Sequence, residues 1–161
     1  MLGYIATLLI SMIPIVELRG AIPIGVLTFH LTYAEAFIIS FIGNIIPVYF
    51  IVKYIRPIFD LLRKIGIFRK IIDWATEKAN KKIAESKKLQ TATLLGVYLF
   101  VAIPLPGTGA WMGALIANFL GLPPKKAIPP IFIGVFTAGV IILTLTAAAK
   151  FSTTASAFAV I

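Results

Sequence analysis

The sequence predicts an all-α integral membrane protein made of two inverted repeats, each a re-entrant helical hairpin followed by a transmembrane helix. Of its 161 residues, 60% are hydrophobic and 13% are charged, and the mean hydropathy is +1.01. A soluble domain of this length does not bury so much apolar surface, so we expect the chain in a bilayer. Two interruptions rich in proline and glycine, at residues 13–23 and 103–111, each divide an apolar stretch into short pieces. These interruptions predict the hairpins.

The first hairpin is expected within the first repeat, which covers residues 1–56. Residues 1–12 are apolar and uncharged, and residues 21–29 form a second apolar piece. At a rise of about 1.5 Å per residue, each piece crosses only about half of a 30 Å hydrocarbon core. The pattern therefore favours a hairpin, and one kinked span over residues 3–29 is the alternative.

A full span and a basic connector follow. Residues 33–55 are long enough to cross the bilayer. Residues 57–90 are amphipathic, with apolar positions at steps of three and four, and predict a helical connector on the cytoplasmic interface. Eleven of the fifteen basic residues lie between Lys53 and Lys88. This placement indicates the positive-inside signal and attraction to anionic lipid headgroups, not binding of nucleic acid, despite the net charge of +9.

The second repeat, residues 91–149, has the same order of elements: an apolar piece, a break, a second apolar piece and a span. The two apolar pieces and the span are residues 91–103, 110–122 and 128–149, the last opened by Pro129 and Pro130. Residues 150–161 form a weakly apolar tail with frayed structure. The whole chain is thus predicted to be a single membrane domain.

The positive charges distinguish two topologies. With four ordinary spans and a cytoplasmic connector, Lys125 and Lys126 lie outside. With two hairpins and two spans, thirteen of the fifteen basic residues are cytoplasmic, and the exceptions are Arg19 and Lys150. The positive-inside rule therefore favours the hairpins. In that topology the chain is a multi-pass inner-membrane protein with both termini on the outer side of the membrane. Four spans remain the alternative.

A weak internal match supports the repeat. Ile13-Pro14 corresponds to Ile103-Pro104, and Phe29 corresponds to Phe119. Inverted repeats with broken helices are typical of transporters, in which substrate and ions bind where the half-helix ends converge. The two breaks are therefore expected to face each other in the protein interior.

The first break carries the charged candidates for function, Glu17 and Arg19. A carboxyl within a membrane protein is the kind of group that takes up and releases a proton during transport. Its alternative role is a static ion pair with Arg19. The Arg19 guanidinium suits a phosphate or carboxylate, and its alternative roles are to neutralise Glu17 or to cap carbonyl groups.

Other residues of the breaks are weaker candidates. Thr108, Asn44 and Trp111 could contact a substrate through a hydroxyl, an amide and an aromatic face, whereas backbone bonding, bonding between helices and packing are their alternatives. The residues expected to shape the breaks structurally are Pro14, Gly20, Pro23, Pro104, Pro106, Gly107 and Gly109.

The sequence lacks the residues that metal binding and enzyme catalysis usually require. The chain has no cysteine and one histidine, so we expect no metal site. No nucleophile–base pair or phosphate-binding loop is present, so we expect no catalytic residue, no cofactor and no enzyme activity.

Two motifs give the chain a family resemblance. The segment from Glu17 to Pro23 together with that from Pro104 to Trp111 resembles the small multidrug export family, and the resemblance covers nearly the whole chain. The predicted arrangement is similar to that of the DedA (SNARE-associated, VTT) superfamily. That similarity implies lipid flipping or proton-coupled transport, although the second hairpin of this chain lacks the charged residues of the DedA pattern.

Three functions follow as hypotheses. The first is proton-linked export of a small or amphipathic solute, with Glu17 as the proton or cation site. The second is a flippase or scramblase for a phosphate-bearing lipid, with Arg19 as the anion site. The third is a non-transporting membrane scaffold. The expected partners are the anionic bilayer, a small-molecule or lipid substrate and a second copy in a homodimer.

Overall fold

A computed structural model describes residues 1–62, 87–105 and 107–159 of the chain. These residues form six α-helices and no β-strand, which confirms the all-α class. The helices are α1 (Leu2–Met12), α2 (Glu17–Leu27), α3 (Tyr33–Leu62), α4 (Lys87–Ala102), α5 (Ala110–Phe119) and α6 (Pro124–Ala159).

Two short helices followed by a long one occur twice along the chain, in α1–α3 and in α4–α6. Of the connector predicted at residues 57–90, residues 57–62 continue α3 and residues 87–90 begin α4. The remainder, residues 63–86, lies outside the described residues. Two helical stretches, Tyr33–Ile55 and Pro124–Thr153, are long and apolar enough to cross a membrane.

The first two helices fold back on each other. Gly3 at the start of α1 lies against Phe29, just beyond α2, and a Cβ on Gly25 of α2 would lie 3.2 Å from Thr7 of α1. The two helices are therefore antiparallel and packed side by side. A single kinked helix over residues 3–29 would not bring these residues into contact. The chain turns at residues 13–16, where the amide of Glu17 already donates to the Ile13 carbonyl at 2.8 Å.

One expected break residue lies elsewhere. Pro23 lies inside α2 and not in the break. A proline there removes one backbone hydrogen bond, to the carbonyl of Arg19, and its fixed φ is compatible with helix. The rest of α2 keeps its bonds, so the helix starts at Glu17 and the break is confined to four residues. Gly20 accordingly belongs to the first turn of α2.

The start of α3 is a capping box that also holds α1. The Thr32 amide donates to Glu35 Oε2 at 2.9 Å, and the Glu35 amide donates to Thr32 Oγ1 at 3.3 Å. These reciprocal bonds satisfy amides that the helix leaves free at its N-terminus. The Tyr4 hydroxyl donates to Glu35 Oε1 at 2.6 Å, so α1 is fixed to the beginning of α3.

Helix α6 is longer than predicted at both ends. It starts at Pro124, so that Pro129 and Pro130 lie inside it, and it continues to Ala159. The carbonyls that these two prolines leave without a bond belong to Lys125 and Lys126, which are exposed residues of the first turn. The predicted tail continues as helix because its first ten residues contain alanine and no proline or glycine.

Of the two apolar clusters among the described residues, the larger joins the two halves. Its buried members come from both sides of residues 63–86 and include Leu18 of α2, Val52 of α3, Ala114 of α5 and Ile131 of α6. Helix α3 therefore packs against both α5 and α6, and α2 packs against α6. This packing brings the first turn of α2 to the second break.

Candidate functional site

Arg19 reaches the second break from α2. Its Nη1 donates to the carbonyls of Leu105 and Thr108, both at 2.8 Å. Its Nη2 donates to the carbonyls of Val101 at 3.0 Å and Ile103 at 3.3 Å. The last carbonyls of a helix have no partner within the helix. Arg19 therefore caps the C-terminus of α4 and the loop that follows it.

Thr108 fixes the same loop from within. Its hydroxyl lies 2.9 Å from Arg19 Nη1. The same oxygen lies 2.9 Å from the Ile103 carbonyl and 2.8 Å from the Leu105 carbonyl. The hydroxyl thus bonds the backbone, as intramembrane hydroxyls commonly do.

Glu17 binds the other end of the second break. Its Oε2 accepts the Ala110 amide at 3.2 Å and its Oε1 accepts the Trp111 amide at 3.1 Å. These are the first two amides of α5, and a carboxylate at a helix N-terminus is stabilised by the helix dipole. The Glu17 side chain is only 4% exposed.

Gly109 makes the approach of Glu17 possible. Its φ is +143°, and a Cβ on it would lie 2.5 to 2.8 Å from the carboxylate atoms of Glu17. Any side chain there would occupy the position of the carboxylate. Gly107 also has a positive φ, +82°, but a Cβ on it would meet no atom within 4 Å. Gly107 therefore allows the positive φ of the turn, whereas Gly109 leaves the space that the Glu17 carboxylate occupies.

The backbone of Glu17 is strained. Its φ is +50°, in the left-handed region that costs about 1–2 kcal/mol for a residue other than glycine. Such strain persists where the surroundings compensate for it. The two hydrogen bonds of the carboxylate to α5 are the compensation that the structure provides.

The two charges in the first turn of α2 therefore serve the second break. Each of them bonds the backbone of residues 101–111, and no hydrogen bond of the described residues joins Glu17 directly to Arg19. The two groups still interact electrostatically. Carbonyl capping, one of the alternative roles of Arg19, is what the geometry shows, whereas the static ion pair is not observed as a direct contact.

Buried polar groups without partners surround this contact. Asn44 of α3 is 0% exposed, and its side-chain nitrogen and oxygen make no hydrogen bond of ordinary geometry. Its amide nevertheless lies beside the Glu17 carboxylate. The ring nitrogen of Trp111 and the Nε of Arg19 are likewise buried and unpartnered.

Sequence reasoning missed Ser40. This residue is 0% exposed and its hydroxyl oxygen has no partner. It lies one turn before Asn44, on the same side of α3. The signal was present as two polar residues four positions apart in an apolar span. Asn118 of α5, also buried, donates to the carbonyl of Ala114 at 2.9 Å.

The remaining break residues occupy the turns. Pro14 lies in the first break and Pro104 in the second. Pro106 lies outside the described residues. Among the residues that the structure describes, no three His, Cys, Asp or Glu side chains come together in a way that could hold a metal ion.

These features define a class of protein: a helical membrane protein whose two broken helix pairs meet, with the charges that follow the first break capping the second. Residues 17–141 match the model of the family described as "Putative small multi-drug export protein". The chain belongs to this family. The match starts at Glu17 and includes Arg19, Asn44 and the whole second break. No curated protein and no solved structure matches the chain.

Proposed function

We propose that the protein is a multi-pass transporter of the inner membrane that carries out proton-linked export of a small or amphipathic solute. Glu17 is the proton site in this proposal. The protein is not an enzyme, and residues 57–90 are its cytoplasmic connector beside anionic headgroups. The family description and the two long apolar helices support the transporter class.

The observation that carries the proposal is the bond of the Glu17 carboxylate to the amides of Ala110 and Trp111. A carboxylate holds both amides with a full charge, and hydrogen bonds to charged groups contribute about 1.5–3 kcal/mol each. Protonation removes the charge and its attraction to the α5 dipole. The contact of the Glu17 side chain with α5 is therefore weakened when Glu17 is protonated. A transporter coupled to protons requires such a dependence.

Strain at Glu17 favours movement once the proton arrives. The left-handed backbone costs about 1–2 kcal/mol, and the bonds that compensate for it weaken when the carboxylate becomes neutral. A change of about 1.4 kcal/mol alters a two-state ratio tenfold. Protonation thus biases the Glu17 side chain away from the N-terminus of α5, which would open that helix end while Arg19 keeps its bonds to the carbonyls of the second break.

Solute flux in proteoliposomes tests this function. With a pH gradient imposed, wild-type protein is expected to move the solute, and Glu17→Gln is expected to abolish the pH-driven part. Glutamine keeps the size of the side chain and cannot take up a proton. Glu35→Gln is the matched control, because Glu35 caps α3 outside both breaks; its flux should remain.

Three other results would change the proposed function. Loss of pH-driven flux in both variants, or in neither, contradicts Glu17 as the proton site. Lipid movement that Arg19→Ala abolishes while Glu17→Gln spares it supports the lipid flippase. Unchanged flux of every kind in both Glu17→Gln and Arg19→Ala supports the membrane scaffold.

A further inference from the structure

The N-terminus of α5 is a site for an anion that the protein fills with its own carboxylate. Helix α5 has ten residues, and its first amides have no acceptor within the helix. Such an end binds carboxylates and phosphates through its amides and its dipole. In this structure Glu17 supplies that carboxylate through bonds of 3.1 and 3.2 Å.

A second, independent feature indicates a ligand other than Glu17. Asn44 is fully buried, and its side-chain nitrogen and oxygen make no hydrogen bond of ordinary geometry, although the amide lies beside the Glu17 carboxylate. An unpaired buried polar group costs about 1–3 kcal/mol. The Nε of Arg19 is also buried without an acceptor. Glu17 is tethered to α2, and its oxygens accept from Ala110 and Trp111. A free carboxylate or phosphate can orient its oxygens toward the Asn44 amide and Arg19 Nε as well.

The charges around the site favour an anion over a cation. Arg19 and the dipole of α5 are positive, and Glu17 alone is negative among the described residues at the site. Helix α5 contains no ionisable residue, and α3 faces Glu17 with the neutral Asn44. Tyr4 of α1 and Glu35 of α3 are bonded to each other. Once Glu17 is protonated, the site has a net positive charge.

The site also has a route to its surroundings. Leu105 is 56% exposed, Gly107 is exposed and Arg19 is half-buried. Irregular backbone at membrane depth faces water or protein, not lipid chains. Gly109 and Ala110 are themselves buried, so in this proposal the anion reaches the amides of α5 from the exposed residues of the second break once Glu17 has moved.

We propose that the substrate of this transporter carries a carboxylate or phosphate group, which takes the place of the protonated Glu17 side chain at the N-terminus of α5. The anion accepts from the amides of Ala110 and Trp111, from Asn44 and from Arg19 Nε. This inference rests on the proposed function, because uptake of a proton by Glu17 vacates the site. Proton uptake and anion binding are then coupled through one position.

Binding of inorganic phosphate and acetate tests the site. A Trp74→Phe background leaves Trp111 as the single tryptophan of the chain, so its fluorescence reports on the N-terminus of α5. Measurements use the full chain in nanodiscs of phosphatidylcholine, titrated with each anion. A second arm adds phosphatidic acid to the nanodiscs, which distinguishes a lipid phosphate from a free one.

The variants predict a gain of binding. Glu17→Gln and Glu17→Ala should each bind the anion at least about tenfold more tightly than the wild type at neutral pH, because the competing negative charge is gone. Wild-type affinity should rise on acidification, and that of Glu17→Gln should not. Asn44→Leu should weaken binding, whereas the control Asn118→Leu, in which the other buried amide is replaced, should not.

Each outcome decides the proposal. Tighter binding in both Glu17 variants, with loss in Asn44→Leu, supports it. No binding of phosphate, acetate or phosphatidic acid by folded Glu17→Gln overturns it, as does binding of sodium ions in their place. Proton-driven flux of a neutral or cationic solute without anion binding keeps the proposed function and rejects the anion site. Anion binding without proton-driven flux rejects the proposed function and keeps the site.

Discussion

At the scale of single residues, Glu17 combines a left-handed backbone with a buried carboxylate that holds another helix. The sequence identifies Glu17 and Arg19 as candidates because charges are costly among apolar residues. It does not identify their partners, which lie 82 to 94 positions away. Those partners are backbone groups, which carry no signal of residue type.

Gly109 offers a test at this scale. We expect Gly109→Ala to lower the free energy of unfolding by more than about 2 kcal/mol, since the alanine Cβ displaces the Glu17 carboxylate and is itself strained at a φ of +143°. Chemical unfolding in detergent, followed by circular dichroism, measures the change. The control is Gly96→Ala in α4, where a Cβ meets no atom within 4 Å.

The control should gain stability, by about 0.5–1 kcal/mol, because alanine is the better helix former. The same change measured in a Glu17→Ala background isolates the contact. There Gly109→Ala should cost distinctly less, since the clashing carboxylate is absent. Equal costs in both backgrounds would show that Gly109 acts through its backbone alone.

At the scale of helices, close packing depends on glycines that the sequence does not single out. A Cβ on Gly134 of α6 would lie 2.8 Å from the Val101 Cβ and 3.0 Å from the Tyr98 carbonyl of α4. The order of the helices was predictable from the apolar stretches and from the prolines and glycines between them, whereas α6 extends beyond both of its predicted ends. Which faces of α4 and α6 pack together was not predictable, because both helices are apolar around much of their circumference.

The contact of α4 with α6 gives a prediction for a pair of residues. Gly134→Ala should destabilise the protein by about 1–3 kcal/mol through overpacking. Val101→Ala should destabilise it as well, by removing buried methyl groups. The double variant should be somewhat more stable than the sum of the two costs implies, because Val101→Ala removes Cγ1, 3.0 Å from the new Cβ, although the Val101 Cβ at 2.8 Å and the Tyr98 carbonyl at 3.0 Å remain. Additive costs in the thermal or chemical unfolding of the three variants would contradict the packing.

At the scale of the whole molecule, the two halves stabilise each other through the second break. Apolar composition alone predicts the membrane class, and the breaks predict two folded-back helix pairs. The antiparallel packing of α1 and α2 agrees with that prediction at the level of helices. Orientation in the bilayer depends on the distribution of basic residues and on lipid, so it stays a prediction from the positive-inside rule.

Labelling of single cysteines in intact cells tests that orientation, and the chain contains no cysteine of its own. With two re-entrant hairpins, an impermeant thiol reagent outside the inner membrane should label Thr153→Cys and spare Pro123→Cys. Four full spans predict the reverse, because each added crossing moves the following loop to the other side. Both positions are exposed in the structure, and neither substitution alters the basic residues that set the topology. Reversed labelling would remove the re-entrant arrangement while leaving the contact of Glu17 with α5 in place.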